Sequence, residues 1–284
     1  LRTLDSGCCG MAGSFGYELG HYELSEALAR RVLIPAAEAD PTADIGGYDA
    51  AQKAAILAGL AFHTTVPLEA VHREGITEID KSMIDAARKA GYVVKLLAVC
   101  ERLLEAGEEA ISVRVYPALV DRKHPLASVH GANNAVFVQA EAAGDLMFYG
   151  AGAGGIQTAS AVLGDVVSAA RRHVAGGVGV AESTRANLPI LPIGHVSTRY
   201  QITLEVADQT GVLATIAGIL SDGGVSVATV EQTTAAGVDG APTARLVIGT
   251  HTAREQDLSD TVDHLAASDV VTRVASVLRV EGSN

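Results

Sequence analysis

Between Asp49 and Ala61 the apolar residues Ala54, Ile56-Leu57 and Leu60-Ala61 recur every three to four positions, the interval that aligns side chains along one stripe of a buried helix. Met83 to Arg102 reads as a helix passing into a strand at Tyr92-Val93-Val94-Lys95-Leu96-Leu97-Ala98-Val99. β-Branched and aromatic residues dominate Ile111 to Tyr116 and Ala135 to Glu141, which predicts two further strands. Leu146 to Tyr149 is strand-like, and Thr158 to His173 returns to helical periodicity. The sum is a mixed sheet with covering helices. Gly176-Gly177-Val178-Gly179 then opens what reads as a loosely structured connection past Pro189 and Pro192, and a domain boundary is expected there.

Beyond that boundary the pattern predicts a strand over Tyr200–Val206, a helix over Gly211–Ser221, strands over Val225–Gln232 and Ala244–Thr250, a helix over Ala253–Ala267 and a strand over Val270–Val280. This βαββαβ order makes a ferredoxin-like domain, so the fold class is α/β (α+β) with two domains. A length of 284 residues with 48% hydrophobic content is enough for two separate cores.

The net charge of -12 disfavours nucleic acid and anionic membrane as partners, because phosphate binding needs clustered Lys and Arg. A small neutral or zwitterionic ligand fits better. No apolar run reaches the ~18 residues of a membrane-spanning helix, and the start lacks the layout of a signal peptide, which predicts a cytoplasmic protein. Three cysteines, Cys8, Cys9 and Cys100, are too few for a disulfide framework.

Chemistry concentrates between Glu38 and Lys53, where Glu38, Asp40, Asp44 and Asp49 precede Lys53 at the entrance of the first helix. Carboxylates can hold an ammonium group, and a lysine can protonate a carbonyl oxygen. Asp49 and Lys53 are four apart and share a helix face; taken alone, that spacing also describes a solvated ion pair near a helix start. The segment Glu38-Ala39-Asp40-Pro41-Thr42-Ala43-Asp44-Ile45-Gly46-Gly47-Tyr48-Asp49-Ala50-Ala51-Gln52-Lys53 resembles the substrate-binding signature of homoserine dehydrogenases. That resemblance implies interconversion of L-aspartate 4-semialdehyde and L-homoserine with NAD(P), in threonine, methionine and isoleucine biosynthesis. It implies Glu38 on the substrate amino group, Asp44 and Asp49 ordering the site, and Lys53 as the acid at the reacting oxygen. Gln52 departs from the Arg often found there. Glu74-Gly75-Ile76, Val115-Tyr116-Pro117, His124-Pro125-Leu126-Ala127 and Asn133-Asn134-Ala135-Val136 extend the resemblance in order.

Gly150-Ala151-Gly152-Ala153-Gly154-Gly155 fits G-x-G-x-x-G, but no second parallel strand with an acidic residue follows at the distance a Rossmann unit needs. Within the resemblance, Gly150, Gly152 and Gly154 face the nicotinamide cofactor; a purely structural turn is the alternative. His124 and His130 read as loop residues, and no metal site is expected. Asp208-Gln209-Thr210-Gly211-Val212-Leu213-Ala214-Thr215-Ile216-Ala217, followed by Gly224-Val225-Ser226-Val227, looks like an ACT domain. Asp208 and Gly211 would then bind an amino-acid effector, with L-threonine the candidate, because a helix start offers free N–H groups to a carboxylate.

Leu4 to Glu18, with Cys8-Cys9-Gly10, resembles the end of the cysteine-rich CCG domain of iron-sulfur subunits and FAD-linked oxidases. Two adjacent thiolates fall short of the usual four, so a remnant without metal is expected, with an iron-sulfur protein as the outside reading. The expected division is 1–36 for this piece, 37–185 for the substrate and dimerisation domain, and 198–284 for the ACT domain, with a splice near Ala37. Most of the NAD(P) site would lie on a domain that this sequence does not carry. A homo-oligomer is expected, and the competing functional class is a non-catalytic, amino-acid-binding regulatory fragment.

Overall fold

The structure is a computed structural model that describes residues 42–131, 133–152, 154–176, 185–236 and 242–282. Glu38, Cys8, Cys9 and the expected splice near Ala37 lie outside the described residues. A short helix α1 (Thr42–Ile45) leads through Gly46-Gly47 into α2 (Tyr48–Phe62). Strand β1 (His72–Arg73), helix α3 (Lys81–Lys89) and the long strands β2 (Tyr92–Glu105) and β3 (Glu108–Asp121) follow. Asp80 caps α3, its carboxylate accepting the Met83 N–H at 2.9 Å. β2 and β3 turn over Ala106-Gly107, both with positive φ, the two-residue geometry whose twist matches an antiparallel hairpin.

Helix α2 is buried by its small residues. Ala51, Ala54 and Ala58 face Val71, Ile111, Val113 and Val115, whereas Ile56, Leu57 and Leu60 are exposed. The expected stripe of large residues is therefore on the wrong face. Alanines let the helix axis approach the sheet closely, and the bulky side chains project the other way.

β3 also corrects the expected strand end at Tyr116, since it runs on through Pro117 to Asp121. One edge is filled by β2 over the full length, Tyr92 opposite Asp121 to Glu105 opposite Glu108. Three short segments share the other edge: Ile190 bridges Ile111, β1 pairs in parallel at Arg114 and Val115, and a C-terminal strand pairs at Ala118 to Val120. Pro117 falls between the second and third of these, where neither needs its missing N–H. The described part of the connection, from residue 185 on, is more ordered than expected. The Leu188 N–H donates to the Thr64 hydroxyl oxygen at 3.0 Å, and the Pro189 carbonyl and Leu191 N–H both bond to Ile111. Leu188 and Ile190 add apolar packing to the α2 core, which holds this segment against β3.

Strands β4 (Asn133–Ala140) and β5 (Gly144–Ala151) form a separate hairpin, followed by α4 (Gly155–Ala175), which has no buried residue. After β6 (Ser197–Thr198) come β7 (Tyr200–Ala207), α5 (Val212–Asp222), β8 (Val227–Ala236), β9 (Pro242–Thr250), β10 (Ala253–Arg254), α6 (Glu255–Ala266) and β11 (Val271–Glu281). The antiparallel order β11-β7-β9-β8 is that of a βαββαβ domain, its core built on Ile202, Leu204, Leu246 and Ile248 with Ile216, Leu220, Leu258 and Leu265 from the helices. The two domains do not keep separate sheets: β11 pairs with both β7 and β3, so one seven-stranded sheet crosses the boundary.

Since Ala54 is fully buried and Leu60 is 63% exposed, Ala54→Leu should lower the unfolding free energy by about 1–3 kcal/mol. Leu60→Ser should change it by less than about 0.5 kcal/mol. Urea denaturation of the two variants checks this order.

Candidate functional site

Gly47 sets the geometry at the start of α2. Its φ of 74° is costly for other residues, and a Cβ there would press on Val115 at 3.3 Å. One turn on, Lys53 Nζ donates to Asp49 Oδ2 at 2.5 Å, with both side chains about half exposed. Asp44 sits exposed on α1, two residues ahead of the Gly46-Gly47 turn. The backbone of this segment is fixed from β1 and the turn after it. Ile76 N–H donates to the Ile45 carbonyl at 2.9 Å, and Arg73 donates to the Gly46 carbonyl while its guanidinium lies 3.5 Å from the centre of the Tyr48 ring. Gly75 is wedged here, because a Cβ would stand 2.6 Å from the Ile45 carbonyl oxygen. Beside it opens a cleft of about 680 Å³ lined by Tyr48, Ala51, His72, Arg73 and Ile193 among others. A carboxylate paired with an ammonium at an exposed helix start can order a substrate and move a proton at its oxygen.

The glycine turn lies on a different unit. Gly150 belongs to β5 with open space around its Cα, Gly152 is packed against the Asn134 side chain, and Gly154 caps α4 with φ of 145°. The N-cap of α4 is Gly154, which has no side chain to cap the first turn, an arrangement that suits its backbone N–H groups to an anionic group. Phe148, Tyr149, Ile156, Val162, Leu163 and Val166 around this turn and helix are exposed.

Asp208 and Gly211 come together with Val206, Thr210, Gln232 and Leu246 around a cavity of about 190 Å³ at the start of α5. Gly211, at φ 94°, is the N-cap, again without a side-chain cap bond. Both residues thus share one pocket. Among the described residues no group of His, Cys, Asp and Glu could hold a metal ion. His124 is a loop residue whose Nδ1 accepts the Leu126 N–H at 3.2 Å. Cys100 is half-buried against Ala54; burial pushes its thiol up to about 11, outweighing the nearby Arg114 charge, and keeps it unreactive.

Charged residues bind the two domains to each other. Arg279 on β11 donates through Nη1 to Glu74 at 2.8 Å and through Nε to Glu255 at 2.8 Å, and it lies 4.5 Å from the centre of the Tyr116 ring. Glu255, 4% exposed as a side chain, also accepts from the Tyr200 hydroxyl at 2.7 Å and from the Thr198 hydroxyl. Tyr116 donates to Glu281 at 2.5 Å and accepts from Arg114 Nε at 3.0 Å; Arg114 in turn holds Glu101 at 2.7 Å. Burial pushes both tyrosines up, and hydrogen bonds to carboxylates reinforce this, so they stay protonated. Burial alone would raise Glu74, yet hydrogen bonds from His72 and Arg279 and their charges overcome it and hold the carboxyl at about 2.

The homoserine dehydrogenase family profile matches residues 14–167, more than half of the chain. The chain belongs to that family. An ACT domain profile matches residues 200–269. Homoserine dehydrogenase of Corynebacterium glutamicum is 51% identical over 260 residues, covering 91% of this chain and 57% of that protein. The Bacillus subtilis homoserine dehydrogenase is 38% identical over 250 residues, with 87% and 56% covered. Among solved structures, the Thiobacillus denitrificans homoserine dehydrogenase superposes with a TM-score of 0.77 at 34% identity, covering 92% of this chain and 58% of that one. The chain thus spans less than two thirds of the length of these relatives. The family match begins at residue 14 and takes in much of the stretch 1–36 that the sequence analysis sets apart.

Of the residues that link the homoserine dehydrogenase domain to the ACT domain, sequence reasoning singled out Glu74 and Tyr116 only as family matches, and it missed Arg279, Glu255, Arg114 and Glu281. The available signal for Arg279 and Glu281 was the run Val277-Leu278-Arg279-Val280-Glu281, where charges interrupt an apolar strand. Glu74 gives this network a pH signature. Its carboxyl is depressed in the folded state, so its contribution is complete above about 4.5 and fades as pH falls toward about 2. Glu74→Gln should therefore cost about 1 kcal/mol at neutral pH, below the full linkage value because the 39% exposed side chain is screened. That cost should shrink toward zero in urea titrations repeated down to pH 2–3.

Proposed function

We propose that the chain provides the substrate-binding and amino-acid-sensing parts of a homoserine dehydrogenase, which interconverts L-homoserine and L-aspartate 4-semialdehyde with NAD(P). The Asp49–Lys53 pair carries this reading: a lysine held at 2.5 Å by a carboxylate, on a rigidly anchored helix start, in a member of that family. Lys53 protonates the carbonyl oxygen in the reductive direction and takes the hydroxyl proton in the other. Asp49 fixes Nζ, and Asp44 with Glu38 receives the substrate ammonium group. NAD(P) supplies or accepts the hydride. Gly150, Gly152 and Gly154 fit one end of such a cofactor, because the glycine-capped start of α4 offers N–H donors and Gly150 leaves room for close approach. The unit boundaries in this reading are 37–185 for the substrate domain and 198–284 for the ACT domain. Self-association follows from the exposed apolar residues of β5 and α4. The product enters threonine, methionine and isoleucine biosynthesis.

The pocket at Asp208 and Gly211 supports a second role, binding of a free amino acid such as L-threonine. Backbone N–H groups of α5 take the carboxylate, while Asp208 accepts from the ammonium or hydroxyl group. This pocket would also serve a chain that regulates without catalysing, and two measurements separate the cases.

For catalysis, residues 14–284 are joined to the N-terminal part of the Corynebacterium glutamicum relative that precedes its match to this chain. The hybrid should reduce L-aspartate 4-semialdehyde with NADPH, and Lys53→Ala should lower its kcat by roughly 100-fold or more. An inactive hybrid, or a Lys53→Ala hybrid as active as its parent, overturns the catalytic reading. For sensing, L-threonine at 100 times its dissociation constant should stabilise the chain by about 2.7 kcal/mol, read as a rise in melting temperature that Asp208→Ala removes. A melting curve indifferent to millimolar threonine, isoleucine, methionine and lysine rules it out.

A further inference from the structure

We infer that Arg279 of the ACT domain is a positioning residue for the Asp44–Lys53 segment, acting through Glu74. The inference rests on reading that segment as the substrate site, and it starts from where Glu74 stands. Its backbone N–H donates to the Val115 carbonyl at 2.8 Å, its own carbonyl oxygen lies 3.4 Å from where a Gly47 Cβ would be, and its neighbours Arg73 and Ile76 hold the Gly46 and Ile45 carbonyls. The turn that starts α2 therefore rests on residues 73–76.

Little else fixes the side of that short strand. β1 has two residues, paired to β3 at only two positions. The Glu74 carboxylate is shared between His72 of β1, at 2.7 Å, and Arg279 across the domain boundary, and Arg279 has its other donors on Glu255. Glu255 cannot yield cheaply, because it is buried at the first turn of α6 and already receives the Tyr200 and Thr198 hydroxyls. A planar guanidinium with two carboxylates on different domains fixes both distance and angle, which an isolated ammonium would not. The line continues toward the amino-acid pocket: Tyr200 begins β7, and Val206 and Ala207 near the end of the same strand line that pocket. A displacement of β7 relative to β3 thus reaches Gly46-Gly47, and with them Asp49 and Lys53, through one guanidinium.

Amide hydrogen exchange on the full chain tests this without a substrate or a cofactor, so its outcome is independent of whether Lys53 is catalytic. Glu74→Gln should speed exchange of the Gly46, Gly47, Ala51 and Ile76 amides by about tenfold, the size expected for losing the charge-assisted bond to Arg279, and Arg279→Gln, which also leaves Glu255 without its cation, by at least that much. In Glu74→Gln the control amides in the ACT core at Leu246 and in α3 at Ala87 should speed up less than these, by no more than the variant's small global destabilisation gives. Glu74→Gln leaves the Arg279–Glu255 pair intact, so it reports even where Arg279→Gln fails to fold. Unchanged exchange at Gly46, Gly47 and Ile76 in Glu74→Gln would overturn the inference. An equal acceleration at all sites, controls included, would do so as well, because it would mean general loss of stability.

Discussion

The parallel ladder between β11 and β3 spans three residue pairs, and a join that short has little strength of its own. What fixes its register is the requirement that buried charge be paired. Arg279 and Glu281 flank the ladder, and each finds partners only when β11 lies beside Ala118 to Val120: Arg279 reaches Glu74 and stacks on Tyr116, while Glu281 takes the Tyr116 hydroxyl. Sliding β11 by one residue would turn both side chains to the other face of the sheet and strand Glu255 without its cation. The arrangement of the substrate domain against the ACT domain follows from that constraint. Arg114 marks its cost, since its Nη1 is buried with no partner among the described residues.

The ACT half was legible in the sequence because each of its elements is bounded by a local signal and buries residues at the period of its own structure. Tyr200–Ala207 alternates, and Val212, Ile216 and Leu220 return at helical spacing. The substrate half was legible in element order but not in facing. Periodicity cannot tell an alanine face that approaches a sheet from a leucine face that awaits another partner, and in α2 these two faces lie on opposite sides. Pro117 concealed the second half of β3, because a proline ordinarily ends a central strand and only the three-way division of that edge excuses it. Asp49 with Lys53, and Asp208 with Gly211, could be paired from spacing alone. Arg279 with Glu74 could not, for 205 residues separate them and no local pattern carries such a distance.

Ile56, Leu57 and Leu60 continue the face of α2 that carries Lys53, and α4 exposes Val162, Leu163 and Val166 along a helix with no buried residue. Soluble surfaces do carry isolated apolar side chains, but long stripes on two helices signal surface meant to be covered. Lys53 is thereby bordered by apolar ground, where a covering surface would exclude water and strengthen its pairing with Asp49.

β3 is complete on one edge through β2, while on the other its segment from Ala118 to Val120 stays open until β11 arrives. During synthesis the hairpin β2–β3 emerges early, whereas the strand that caps its far edge is translated only after the whole ACT core. For that interval the nascent chain displays an unpaired, apolar edge from Ala118 to Val120, the kind of template that recruits foreign strands. Pro117 bounds that edge on its N-terminal side, so the residue that marks the junction of two partners in the finished sheet also limits the run available for mispairing while the ribosome is still at work.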